Sequence, residues 1–292
     1  MSAAVRPGPG RAYAEVIGDP IAHSKSPIIH GFWLERLGLA ADYRKTHVPA
    51  DRLGAFFAGR RDDPDWRGCN VTVPHKQAVI AHLDRLDPLA ARIGAVNTIV
   101  PRDGALVGYN GDAPGFLEPL RGLLGRRQLF RMARLLGTGG AARAIAHALA
   151  GESFALVVAG RDLAKAEALR DEADPTGHAV PLAQFAEPTD FAFDDRAGIL
   201  DLVVNATTLG MGGQPPLTFD ISHAPPGAIV YDIVYAPLET RLLADARARG
   251  LPTIDGLAML IGQAAVAFAH FFGCAPPRDA AGDADLRRRL TA

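Results

Sequence analysis

The sequence predicts an α/β fold made of two domains. Strand-like and helix-like segments alternate along almost the whole chain, which is typical of parallel sheets covered by helices. A glycine-rich turn, residues 137–141, follows a short apolar segment near the middle of the chain and indicates the start of a second sheet. The 292 residues are 48% hydrophobic, and a chain of that length can bury two separate cores.

Five strands are predicted in the first third of the chain, and a helix connects the first two. That helix covers residues 27–37, because apolar residues such as Ile29 and Trp33 recur there at helical spacing. Residues 112–124 then lead into the second domain. The predicted strands are residues 13–17, 43–48, 68–73, 96–100 and 105–108.

Four further strands and a last helix are predicted in the second domain and after it. The last helix covers residues 257–272 and follows an Asp255-Gly256 turn. Residues 171–197 are acidic and irregular, so no element is predicted for them. The predicted strands are residues 133–136, 154–159, 200–204 and 229–233.

Composition excludes several classes of function. The net charge of −1 gives no reason to expect nucleic acid or a membrane surface as a partner. The two cysteines, Cys69 and Cys274, are too few for a disulfide framework, and no metal site is predicted around them. The first eleven residues lack the apolar core of a signal peptide, and no apolar run is long enough to span a bilayer. We therefore expect a cytoplasmic protein.

The segment from Asn70 to Lys76 is the first candidate site. Alternation along a strand places Asn70 and Thr72 on one face, and Pro74 ends the strand because it has no N–H to donate. Lys76 would then begin a helix, where the helix dipole disfavours a cation. A lysine kept at such a position suggests chemistry, although an ordinary surface lysine is the alternative.

The glycine-rich turn contains Gly137, Thr138, Gly139, Gly140 and Ala141 and is the second candidate site. Glycines allow a close approach to a pyrophosphate, and the following helix offers free N–H groups.

The next predicted strand ends before Gly160-Arg161, about where a dinucleotide fold contacts the adenosine ribose. Arginine suits a 2′-phosphate, which favours NADP. Asp162 would repel a phosphate or bind a hydroxyl, so NAD stays open.

Further polar clusters fall where predicted strands end, which is where open α/β sheets bind ligands. Ser24 and Ser26 follow the first strand, and Ser26 is alternatively the N-cap of the first helix. Asn97 lies within an apolar strand, and Asp112 lies in a segment that also reads as a simple turn. Thr207 follows the third predicted strand of the second domain. Gln263 is a polar residue among the apolar residues of the last helix.

These motifs together resemble the shikimate dehydrogenase family over nearly the whole chain. The similar segments are residues 18–27, 70–76, 94–98, 110–112, 137–141, 205–211, 231–235 and 255–263. The resemblance implies two domains with a cleft between them. The substrate domain comprises residues 12–112 with 256–292, and a Rossmann-like NADP domain comprises residues 113–255.

The resemblance also implies roles for individual residues. Lys76 and Asp112 match the catalytic pair of the family. The substrate-binding positions are Ser24, Ser26, Asn70, Thr72, Asn97, Tyr235 and Gln263. The cofactor-binding positions are Gly137, Thr138, Gly139, Gly140, Ala141, Arg161, Thr207, Ile233 and Gly256.

The implied activity is the reversible NADPH-dependent reduction of 3-dehydroshikimate to shikimate in chorismate biosynthesis, by a monomer or a homodimer. The alternatives are a relative that acts on quinate or aminoshikimate, and a ligand-sensing relative without catalysis. Four positions depart from the family pattern. Gly111 replaces a threonine, Ala258 replaces a glycine, and Gly160 and Asp162 flank Arg161 where the family has asparagine and threonine.

Overall fold

The computed structural model describes residues 10–188, 198–222 and 224–292, and these divide into two compact units. The first unit contains residues 10–111 and 263–292, and the second contains residues 112–262. Within the described residues each unit is built on one six-stranded sheet. The sheets and their helices give the predicted α/β class.

Six strands and three α-helices precede residue 112. The strands are β1 (Ala12–Gly18), β2 (Ala41–His47), β3 (Trp66–Val71), β4 (Arg85–Leu86), β5 (Thr98–Arg102) and β6 (Ala105–Tyr109). The helices are α1 (Ser26–Leu37), α2 (Leu53–Arg61) and α3 (Pro88–Ile93). The third strand therefore ends before Thr72, and the strand predicted at 96–100 begins two residues later.

The first sheet is mixed, so the prediction of a purely parallel sheet is wrong here. Its strand order is β2-β1-β3-β5-β6-β4, and β5 runs antiparallel to both of its neighbours. The turn between β5 and β6 is Asp103-Gly104, with φ of 51° and 75°. Positive φ at both residues is the signature of a tight hairpin turn, which reverses the chain at once and leaves no room for a crossover helix.

Alternation along β1 divides the residues of the first unit between two cores. Tyr13 and Ile17 pack in one cluster with Trp66, whereas Ala14 packs on the opposite face with Phe271. The period-two pattern thus buries both faces of the sheet.

The second unit has five α-helices and a sheet whose pairs are all parallel in the described residues. The helices are α4 (Asp112–Leu117), α5 (Arg121–Leu124), α6 (Gly140–Gly151), α7 (Leu163–Ala173) and α8 (Arg241–Ala248). The strands are β7 (Phe130–Leu136), β8 (Ala155–Gly160), β9 (His178–Pro181), β10 (Ile199–Asn205), β11 (Ile229–Asp232) and β12 (Thr253–Ile254). Their order is β12-β11-β10-β7-β8-β9. Strand β9 lies in the segment left without an element, of which residues 189–197 are outside the described ranges.

Two helices end the chain, α9 (Gly256–Phe272) and α10 (Ala280–Thr291). The first is the predicted helix 257–272, but it is not the last. Asp279 caps α10 by accepting a hydrogen bond from the Gly282 N–H at 2.8 Å. In the described part of the chain, no helix combines the length and the apolar character needed to cross a bilayer.

Candidate active site

Lys76 lies in a turn after β3, and the prediction that it begins an α-helix is wrong. The Lys76 carbonyl accepts a hydrogen bond from the Val96 N–H at 2.8 Å. The Ile80 N–H consequently bonds to the Gln77 carbonyl at 3.2 Å, one residue short of α-helical spacing. The chain forms only a short 3₁₀ helix, Ala78–His82. No helix dipole therefore opposes the half-buried Lys76 side chain.

The turn that carries Lys76 is tied to the rest of the first unit. The His75 N–H donates to the Thr72 carbonyl at 3.0 Å, and the Thr72 N–H donates to the Ile17 carbonyl in β1 at 2.9 Å. The His75 imidazole is buried, and its Nε2 lies 2.6 Å from the Val48 carbonyl oxygen. These bonds leave the backbone of the turn little freedom to move.

Three predicted substrate positions of the first unit share one hydrogen-bonded row. The Asn70 side-chain N–H donates to the Asn97 carbonyl at 3.1 Å, and the Asn97 side-chain N–H donates to Gln263 Oε1 at 3.3 Å. The Gly111 N–H donates to Asn97 Oδ1 at 2.8 Å. Asn70 and Asn97 are buried, so the structure holds both amides in defined orientations.

The serine loop differs from the predicted cap. Helix α1 begins at Ser26 and its N-cap is Lys25, so Ser26 is not the N-cap. The Ser24 hydroxyl accepts a hydrogen bond from the Ser26 N–H at 3.3 Å. The side chain that bonds to the backbone here is therefore Ser24, whereas the cap prediction named Ser26. Tyr43 in β2 was missed in the sequence. Its hydroxyl donates a hydrogen bond to Asn70 Oδ1 at 2.6 Å, a contact that only the folded sheet creates.

Asp112 and Tyr235 belong to the second unit. Asp112 is the first residue of α4 and is buried, and a carboxylate in the first turn of a helix is favoured by the helix dipole. Tyr235 follows β11, and burial raises the pKa of its hydroxyl. Its phenol therefore stays protonated at neutral pH and keeps an O–H donor.

The glycine-rich turn has the backbone geometry that a phosphate-binding loop needs. Gly137 has a φ of +119°, and a Cβ at this position would lie 2.7 Å from the Ala206 carbonyl oxygen. Gly139 is the N-cap of α6, which begins at Gly140. The loop therefore passes directly from β7 to the N-terminus of a 12-residue helix, where free N–H groups favour an anion.

The residues after β8 favour NADP over NAD. Arg161 is exposed, whereas the Asp162 side chain is the N-cap of α7 and accepts from the Lys165 N–H at 3.3 Å. The Lys165 amine also lies 3.5 Å from the other Asp162 oxygen. A carboxylate occupied by a cap and an ion pair is a poorer ribose ligand. At Gly160, a Cβ would lie 2.9 Å from the Asp162 carbonyl oxygen and 3.0 Å from a Thr138 methyl group, so this chain has no room for the family's asparagine.

A buried polar network fixes the segment around Thr207. Asn205 Oδ1 accepts from the Thr207 N–H at 3.0 Å and from its hydroxyl at 2.7 Å, and the Asn205 side-chain N–H donates to Asp232 Oδ1 at 2.9 Å. Asp232 also accepts from the Thr240 hydroxyl at 2.7 Å and from the Val234 N–H at 3.0 Å. Burial raises the pKa of Asp232, and these three hydrogen bonds oppose the shift. Asp232 and Thr240 had no local signal of this role in the sequence.

Gly256 and Ile233 are adjacent in the second unit. A Cβ at Gly256 would lie 2.4 Å from the Ile233 carbonyl oxygen and 2.5 Å from the Val234 carbonyl oxygen. Only glycine permits this close approach of the start of α9 to the backbone that follows β11.

The comparisons with known proteins agree with this geometry. Residues 16–99 match the shikimate dehydrogenase substrate binding domain, and residues 256–281 match the shikimate 5′-dehydrogenase C-terminal domain. The NADP(+) shikimate dehydrogenase of Sphingopyxis alaskensis is 51% identical over 284 residues, which cover 96% of this chain and 97% of that protein. This chain belongs to the shikimate dehydrogenase family. Membership confirms the predicted family, its α/β fold and its class, NADP-dependent oxidoreductases.

Solved structures extend the comparison to bound ligands in other proteins. Shikimate 5-dehydrogenase from Thermus thermophilus, in complex with NADP(H) and shikimate, has a TM-score of 0.80 and 38% identity, and the match covers 96% of this chain and 99% of that one. Quinate dehydrogenase from Corynebacterium glutamicum, in complex with NAD, has a TM-score of 0.77 and 31% identity, with 97% and 99% covered. Proteins similar in structure to this chain have thus been solved with NADP(H) and shikimate and with NAD.

Proposed function

We propose that this protein catalyses the reversible reduction of 3-dehydroshikimate by NADPH, which gives shikimate and NADP⁺ and supplies chorismate biosynthesis. The observation that carries the proposal is the row of hydrogen-bonded amides, Asn70, Asn97 and Gln263, in the same unit as Lys76. A small polyhydroxylated acid needs donors and acceptors of this kind, and a site built to pair hydroxyls rejects analogues that lack them.

We assign a different ligand to each of the two compact units. We assign substrate binding to the unit of residues 10–111 and 263–292 and cofactor binding to the unit of residues 112–262. The units change at 111/112 and 262/263, whereas the sequence placed the boundaries at 112/113 and 255/256. The difference falls mainly in α9, which begins in the second unit and ends in the first.

Each predicted substrate residue has a defined role in the proposal. Ser24 and Ser26 bind the carboxylate of the substrate through their hydroxyl groups, which is a charge-assisted interaction. The remaining substrate positions bind ring hydroxyls or the carbonyl oxygen. These positions are Asn70, Thr72, Asn97, Tyr235 and Gln263.

We assign proton transfer to Lys76 and a positioning role to Asp112. In the reductive direction the Lys76 ammonium donates a proton to the carbonyl oxygen of 3-dehydroshikimate as that oxygen gains charge, and in the oxidative direction the amine takes the proton from the alcohol. Asp112 accepts a hydrogen bond from a ring hydroxyl, which holds the substrate in place. The proton balance is closed by exchange between Lys76 and solvent.

When bound, the cofactor would supply the hydride as NADPH and would accept it as NADP⁺ in the reverse direction. In this chain Gly137, Thr138, Gly139, Gly140 and Ala141 would hold the pyrophosphate at the start of α6. Arg161 would bind the 2′-phosphate. Thr207, Ile233 and Gly256 would border the nicotinamide, on backbone that the Asp232 network fixes.

A four-way assay of the purified protein tests the proposal. Reduction of NADP and of NAD is followed by absorbance with shikimate and with quinate, under the same conditions. We expect kcat/KM to be highest for shikimate with NADP. A preference for quinate with NAD would instead assign the quinate reaction, and no oxidation of either substrate would favour a ligand-sensing role. Cytoplasmic location and a monomeric or dimeric state remain predictions from the sequence.

A further inference from the structure

The Tyr43 hydroxyl contacts one of the proposed substrate-binding side chains. It donates a hydrogen bond to Asn70 Oδ1 at 2.6 Å. Burial is the main cause that raises the pKa of Tyr43, so the phenol keeps its proton at neutral pH. One side chain of β2 therefore reaches Asn70 near the end of β3.

The ring of Tyr43 is held in place from one side by stacking. The His30 imidazole lies parallel to it, with ring centroids 3.9 Å apart and an interplanar angle of 4°. Phe271 packs against both rings, at 6.3 Å from Tyr43 and 6.0 Å from His30. A stacked and buried ring has few rotamers to choose from, so the position of its hydroxyl is defined.

The bond from Tyr43 also determines which way the Asn70 amide faces. Asn70 Oδ1 accepts from Tyr43, and its side-chain N–H groups consequently point to the Asn97 carbonyl and to Thr98 Oγ1, both at 3.1 Å. Thr98 in turn donates to Asn97 Oδ1 at 2.9 Å. A flipped Asn70 amide would place a donor against the tyrosine donor and an acceptor against a carbonyl. Tyr43 thus orients the row that continues to Gln263.

We propose that Tyr43 is a positioning residue for the substrate, which fixes the Asn70 amide in the orientation that binds it. The inference rests on the proposed function, because it assigns the readout to shikimate. Tyr43 acts through Asn70 and is not a catalytic residue.

The test uses Tyr43→Phe, which keeps the ring and its stacking and removes only the hydroxyl. We expect the KM for shikimate to rise about tenfold, since a lost hydrogen bond to a buried group is worth on the order of 1.4 kcal/mol. The KM for NADP and kcat should stay within about twofold of wild type. A loss of stability alone lowers the amount of folded enzyme and does not change a KM, so this split separates positioning from a merely structural role.

Two further variants sharpen the test. Tyr13→Phe is the matched control, because Tyr13 also donates to a side-chain oxygen at 2.6 Å, but to Asp63, away from the row. It should leave the KM for shikimate unchanged. In an Asn70→Ala background, Tyr43→Phe should raise that KM less than it does alone, because the hydrogen-bond partner of Tyr43 is already lost.

Three results would overturn the inference. They are an unchanged KM for shikimate in Tyr43→Phe, an equal rise in Tyr13→Phe, and full additivity of Tyr43→Phe with Asn70→Ala. A wild-type protein that does not oxidise shikimate would defeat the proposed function together with this inference. An active wild type with an unaffected Tyr43→Phe would defeat the inference alone.

Discussion

His30 should make the folded protein sensitive to acid. The imidazole is fully buried against aromatic rings, and within the described residues neither ring nitrogen has a hydrogen-bond partner. Burial lowers the pKa of His30 from about 6.5 to about 3, because the charged ring would lose its hydration. Between about pH 3 and pH 6.5, the His30 imidazole is therefore protonated in the unfolded chain and neutral in the folded protein.

The size of the effect follows from the two pKa values. The stability that His30 contributes is fully present above pH 6.5 and is lost progressively as the pH falls from 6.5 towards 3. Between pH 7.5 and pH 5 the loss is about 2 kcal/mol, since each unit of pKa difference is worth about 1.4 kcal/mol. That is a large part of the stability of an ordinary domain.

Urea unfolding at pH 7.5 and pH 5 measures this loss in wild type and in His30→Phe. Phenylalanine keeps the stacked ring and does not titrate. We expect the free energy of unfolding to fall between the two pH values by about 2 kcal/mol less in His30→Phe than in wild type. His178→Gln, at an exposed position of β9, should show the wild-type decrease. An equal decrease in wild type and His30→Phe would refute the argument, because His30 would then bind the same number of protons in both states.

Three other predictions concern ligand binding. Arg161→Ala should raise the KM for NADP at least about tenfold and change that for NAD little, because only NADP offers a 2′-phosphate; equal losses would contradict this role. Ser24→Ala and Ser26→Ala should each raise the KM for shikimate about tenfold or more, and normal values in both would place the carboxylate elsewhere. Gly111→Thr should raise that KM several-fold, on the order of 1 kcal/mol, because a Cβ there lies 3.3 Å from the Gln263 carbonyl oxygen and from Val266 Cβ. Val266→Ala removes the Cγ1 atom that lies 3.4 Å from this Cβ, so it should lower the KM again in part, and no change would exclude crowding against the Val266 side chain as a cause.

The sequence predicted the strands best where local pattern and burial agree. Strands β1, β8, β10 and β11 are mostly apolar and buried, and their observed bounds differ from the predicted ones by at most one position. The glycine-rich turn at Gly137 was also predictable, because a positive φ and a close backbone contact both demand glycine.

Tertiary contacts explain why the α-helix predicted at Lys76 is wrong and why Tyr43 was missed. Val79 and Ile80 after Lys76 have helical spacing, and Val79 is buried in a core cluster as a helix would require. The bond from Val96 to the Lys76 carbonyl prevents the α-helix, and nothing in the local sequence reports a partner twenty residues away. Tyr43 was missed for the same reason, because its role depends on which strands are neighbours.

The kcat of Lys76→Ala with shikimate and NADP is the most direct measure of proton transfer by Lys76. We expect kcat to fall by about two to four orders of magnitude while the KM for shikimate changes little, because proton transfer is lost and the other contacts remain. Gln77→Ala, an exposed neighbour in the same turn, serves as the control and should keep wild-type values. A Lys76→Ala variant that keeps near-normal kcat would contradict the account, because Lys76 would then not be the group that transfers the proton.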